Sequence, residues 1–179
     1  GQEDRHRGDY APTPSGASHS PRTTLDVMPY TNVEARQQLL DVLADATDHL
    51  ARGLSSLGAA YDQLDEQQGD RLEEQLFRPV QHAYGRAKRT HAEFTARHGL
   101  PGREFKTPSP GAPSTGVKGL VENAVDSVGR AEAELVALQD SLMPIEVGDA
   151  ELRAGLTEVR RLIDGLSQSA RAFVRTFGR

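Results

Sequence analysis

Apolar residues recur at alternating steps of three and four along most of this 179-residue chain. One seam is Leu40, Leu43, Thr47, Leu50, Leu54, Leu57, Tyr61, Leu64. A second is Val117, Val121, Ala124, Val128, Ala131, Leu135, Leu138, Leu142, and a third is Leu152, Leu156, Val159, Ile163, Leu166, Ala170, Phe173, Phe177. Such steps, kept up for about four heptads, put one apolar stripe on a helix and oblige it to pack along a shared seam. A further stretch, between the first two seams, is less regular. Leu72 and Leu76 set one register, and Phe77, Val80, Tyr84, Ala87, His91 and Phe94 set another, with Pro79 where they meet.

The expected fold class is therefore all-α, an antiparallel up-down-up-down four-helix bundle over residues 30–179 behind a disordered tail over 1–29. The tail carries Pro12, Pro14, Pro21 and Pro29 and almost no apolar residues, too few to offset its ordering entropy. It contains Arg7-Gly8-Asp9, the integrin-binding tripeptide, a match short enough to arise by chance. Thr31 and Glu34 have capping-box spacing, so the first helix is expected over about 31–68, with Gly69 as its stop. Asp70 and Glu73 open the second, over about 70–98, which Pro79 should kink. Pro101, Pro108, Pro110 and Pro113 exclude regular structure from a long loop over 99–114. The third helix is expected over about 115–143, ended by Pro144, and the fourth over about 149–177, capped by Asp149.

Charge alternates along these segments. Residues 32–70 hold eight acids and two bases, 71–106 four acids and eight bases, 107–149 seven acids and two bases, and 150–179 three acids and six bases. In an up-down-up-down ring each helix would then sit between two of opposite sign, with like signs on the diagonals. Glu134 and Arg160 should meet at similar height. Small residues flank the first seam, and Gly53 and Gly58 should each mark a close approach of a neighbouring helix, since glycine inside a helix costs about 1 kcal/mol against alanine.

Chemistry is harder to find. Di-iron bundles need Glu-x-x-His pairs on two helices, and the only such pair here is Glu3 to His6, in the tail. His91 is the only histidine on a seam, there is no cysteine, and no serine has a nucleophile-elbow setting, so no metal, cofactor or covalent catalysis is expected. A net charge of −5 argues against general nucleic-acid binding. No apolar run approaches the roughly 18–20 residues that cross a bilayer, so membrane insertion is not expected and the cytoplasm is the default location. The start at Gly1 rather than Met leaves a removed signal segment open. Eighteen arginines against three lysines suggest a G- and C-rich, bacterial coding sequence.

Arg86-Ala87-Lys88-Arg89-Thr90-His91 resembles the Arg-x4-6-His motif of HEPN ribonucleases, which are helical bundles of about this size. The resemblance implies RNA cleavage by Arg86 and His91 together at a dimer cleft. A broader feature is the cationic stripe Arg78, His82, Arg86, Arg89, Arg97, with Phe105 of the adjoining loop as a candidate apolar anchor. These six residues form the expected partner-binding surface. Seams filled with apolar side chains leave no polar pocket, so the expected function is a non-enzymatic protein–protein interaction or scaffold module. Its partner would be another protein of acidic character or a second copy of the chain. The alternatives are the HEPN-like ribonuclease and a small-molecule binder with a cavity near Pro79, lined by Phe77, Tyr84 and Phe94.

Overall fold

The computed structural model describes residues 28–110, 112 and 115–177, so the tail expected over 1–29 falls almost wholly outside the described residues. All regular structure in the described residues is helical. The elements are α1 (Met28–Tyr61), α2 (Glu66–Leu72), a π-helical turn (Glu73–Phe77), α3 (Arg78–His98), α4 (Val117–Asp140), a single turn α5 (Met143–Glu146), α6 (Ala150–Ile163) and α7 (Leu166–Phe177).

Several boundaries differ from expectation, each for a local reason. α1 begins at Met28 and stops at Tyr61, eight residues before Gly69. Asp65 is the next cap, accepting from the Gln68 amide at 2.8 Å. Gly69 lies inside α2 with the Tyr61 ring against it, so its missing side chain serves packing rather than termination. Pro79 is accommodated by the π-turn ahead of it, where the Arg78 amide reaches Glu73 O. The extra residue in that turn explains the register change, because Leu72, Leu76 and Val80 are all buried at successive steps of four. The expected fourth helix is two. α6 ends at Ile163, and Gly165, with φ of 73°, turns the chain into α7.

The seams form the core as expected along most of their length. Leu43, Leu50, Leu135, Leu152 and Leu156 are completely buried, and the exposed seam residues lie at or near the seam ends: Tyr61, Leu142 and Phe177.

Chain direction departs from the up-down-up-down order. α1 packs on α4 more extensively than any other pair. Gly53 lies against Val128 and Ala124, His49 Nε2 is 3.2 Å from Glu134 Oε1, and Gln63 donates to Thr115 O at 3.2 Å. Rising numbers on one helix meet falling numbers on the other, so the first and third long helices are antiparallel, where the expected order makes them parallel. α3 is antiparallel to α1, since Val80 packs near Gly53 while His91 lies near Asp41. It is antiparallel to α6 as well, with Thr90 on Gly155 and Arg97 on Asp149. α3 and α4 therefore run the same way, and the long segments read up-down-down-up along the chain.

The loop between α3 and α4 makes this possible. Instead of turning back at the end of α3, it climbs the side of α1. Arg103 pairs with Asp48, Ser55 donates to Pro108 O, and Gln63 holds Thr115. Asp48 and Ser55 are one heptad apart, so the attachment points follow one stripe of α1 over roughly 22 Å at 1.5 Å per residue. The proline-rich composition, read only as a helix breaker, supplies an extended strap.

The charge rule fails with the topology. Acidic α1 lies beside acidic α4, and strongly basic α3 beside α6, which at three bases to two acids is itself only weakly basic, so neither of the two most extensive pairings joins opposite signs. Surface ion pairs contribute only about 0.2–1 kcal/mol each, too little to outweigh apolar seams and close approach. Glu134 consequently pairs with His49, and Arg160 donates to Gln139 Oε1 at 2.7 Å. Gly53 has the packing role expected of it, but a β-carbon at Gly58 would meet nothing within 4 Å, and nothing in the structure explains that glycine.

Candidate docking surface

The α3–α6 side gathers what charge the fold leaves unspent. Arg78, His82, Arg86 and Arg89 follow one another at steps of four, four and three, which keeps them on one sector of the helix. His82 and Arg89 are exposed, and Arg78 is exposed while holding Glu73 at 3.1 Å. Lys88 sits 5.0 Å from the centre of the Tyr84 ring, which fixes a further cation on the same helix. Arg86 is half-buried and lines a groove of about 580 Å³ with Glu93, Ala96 and Arg97 of α3 and Glu151 and Ala154 of α6. Its Nε is buried and has no hydrogen-bond partner among the described residues.

The other two residues of the expected surface are committed within the molecule. Arg97 forms a two-pronged pair with Asp149, at 2.9 and 3.0 Å, and reaches Glu151 at 2.7 Å. His98 Nε2 contacts the same carboxylate at 2.9 Å while its ring lies 4.5 Å from that of Phe94. Asp149 also caps α6, accepting from the Leu152 amide at 2.8 Å. Burial alone would push this carboxyl up. The hydrogen bonds from Arg97, Leu152 and His98, together with the Arg97 charge, more than offset that and hold it at about 2. The Asp149 bond raises Arg97 in turn. The cation at the C-terminus of α3 and the anion at the N-terminus of α6 both suit the helix dipoles. Asp149 was legible as a cap. Its second role was not, because its partners lie about fifty residues away and no periodicity links them.

Phe105 is half-buried, with its ring edge-on to His91 at 5.1 Å and 89°. Arg103 lies over its other side at 5.1 Å, so the strap brings an aromatic and a cation down over one histidine. His91 is only 4% exposed, and desolvation, with the Arg103 charge, lowers its pKa despite Asp41. It is thus held neutral and covered. Arg86 points elsewhere, into the α6 groove, as the turn of about 140° between residues five apart on a helix requires. The structure does not bring Arg86 and His91 together, nor Phe105 onto the cationic stripe.

The aromatic residues near Pro79 pack inward. Phe94 is fully buried, and Phe77 and Tyr84 lie against the core cluster. Three grooves among the described residues, at α4–α7, α4–α6 and α3–α6, are lined by other residues. In the described residues no group of three or more His, Cys, Asp or Glu is placed to hold a metal ion. No described helix is long and apolar enough to cross a membrane.

What the α3–α6 side presents is therefore a row of exposed cations on α3, His82, Lys88 and Arg89, beside a shallow groove of mixed charge lined by Arg86, Arg97, Glu93 and Glu151. Compared with family models, curated proteins and solved structures, the chain has no match in any of the three.

Proposed function

We propose that this chain is a non-enzymatic interaction module, a four-helix bundle that offers the basic side of α3 to an acidic segment of another protein. The observation that carries this reading is the adjacency of α3 and α6. α3 carries five bases against one acid, and α6 beside it, with three bases against two acids, does not neutralise them, so that flank keeps a positive surplus. Exposed His82 and Arg89, with the half-buried Arg86 at the edge of the groove, supply donors that an incoming carboxylate would meet. Complementary charge of this kind sets partner choice and association rate more than affinity.

The test is purification from a native extract at low salt, comparing the wild-type chain with Arg86→Glu/Arg89→Glu. A stoichiometric acidic partner recovered by the first, released by salt and lost from the second, is the expected result. Recovery of the chain alone at native abundance, or a partner indifferent to the charge reversal, would count heavily against the reading.

A further inference from the structure

α4 and α7 leave an open groove of about 480 Å³ between them, on a different side of the molecule from the α3 stripe. Its floor is apolar, made by Val121 and Val125 of α4 and Ala170 and Val174 of α7. Its walls are charged and opposite in sign. Glu122 and Asp126 stand along the α4 wall, Arg171 and Arg175 along the α7 wall, and all four are exposed. In the described residues no ion pair crosses the groove. The contact of Glu122 is with Lys118 of its own helix, at 3.8 Å.

We infer that this groove is the contact face of a symmetric dimer, and that its occupant is a second copy of the chain. The argument is one of symmetry and sign. A surface that is self-complementary under a two-fold axis needs each feature to meet its complement when the molecule is turned by half a revolution. A two-fold axis running along the groove lays α4 of one copy over α7 of the other at unchanged height. Glu122 and Asp126 then face Arg171 and Arg175, twice over, and the two apolar floors are turned toward each other and closed off from solvent between them. An axis across the groove would instead set acid on acid and base on base, which like-charge repulsion disfavours. The walls thus select one of the two arrangements, with each α4 antiparallel to the opposing α7. A foreign helix would have to carry the same split of charge. A second copy carries it by construction.

The test uses the full chain in sedimentation velocity over a concentration series, at low and at high salt. The expected result is a reversible dimer that weakens as salt rises. Glu122→Arg/Asp126→Arg makes both walls basic, and Arg171→Glu/Arg175→Glu makes both acidic. Each variant alone should dimerise at least about tenfold more weakly, since four attractions become repulsions. An equimolar mixture of the two should recover association as a mixed dimer. All four positions are exposed, so helical content and the urea midpoint should change little, which separates loss of contact from loss of fold. A wild-type chain that stays monomeric at every concentration overturns the inference, and so does a dimer that ignores the wall reversals. Neither result bears on the α3 stripe, whose variants leave these walls intact.

Discussion

α1–α4 and α3–α6 are both pairings of like charge, and they reach contact by different means. α1 and α4 share a long, nearly unbroken apolar seam, and their closest point is a single methyl. A β-carbon at Gly53 would lie 2.9 Å from a Val128 methyl, which would have to give, and at an ordinary 3.5 Å from Ala124 O. α3 and α6 have less seam to share, because α6 ends at Ile163. Their closest point is hard, with a β-carbon at Gly155 falling 2.3 Å from Thr90 Oγ1 and 2.6 Å from its Cγ2. An ion cluster on Asp149 clasps one end. The first pair is held by extent and the second by particular residues. Substitutions should therefore cost less in one than in the other.

The largest effect is expected at Asp149. Asp149→Ala removes the cap and leaves Arg97 and His98 facing no carboxylate, which should lower stability by about 3 kcal/mol in urea unfolding. Because the folded carboxyl is held at about 2 against an ordinary 3.8, its contribution is complete above about pH 4. It should drain away as pH falls through about 2, amounting to about 2 kcal/mol. Asp149→Asn should flatten that limb of the stability–pH curve, and an unchanged acid limb would refute the assignment. Next comes Gly155→Ala, expected to cost about 2 kcal/mol through overpacking against Thr90. Thr90→Ala in the same chain should recover most of it. If the two changes are simply additive, the hard contact is not what joins this pair.

Smaller effects belong to the other pairing. Gly53→Ala should cost about 1 kcal/mol, less than Gly155→Ala, because one buried Val128 methyl must shift while helix propensity offsets part of the strain. A cost at Gly53 as large as that at Gly155 would erase the distinction between the two pairs. Gly129 lies in the middle of α4 with open space where a β-carbon would go, so Gly129→Ala should raise stability by about 0.5–1 kcal/mol.

What could be read from the sequence follows the same division. The seams are periodic and local, so Leu43, Leu135 and Leu156 were legible as core, and Asp149 as a cap. Direction and adjacency were not, because they depend on where a loop goes. Four prolines say that a segment is not helical, yet they do not say that it runs up the flank of α1 through Arg103, Pro108 and Thr115. Once the loop is placed, the rest follows: α3 and α4 parallel, like charges adjacent, His91 covered, and Arg97 and Phe105 turned to internal use. Of the expected docking residues, Arg78, His82, Arg86 and Arg89 remain available to solvent or a groove. Local charge alternation does not set the topology, because exposed ion pairs are too weak to do so.

The strap has a consequence for how the molecule is made. Gly53 and its contact Val128 are separated by 75 residues, so the most extensive pairing joins an early part of the chain to a late one. During synthesis at about 5–20 residues per second, the seam of α1 waits some 4–15 s for α4 to appear. α3 emerges sooner and can lie antiparallel on one flank of α1 without it. The order of emergence thus favours a partial assembly of α1 and α3, onto whose open flank the later α4–α7 segment closes.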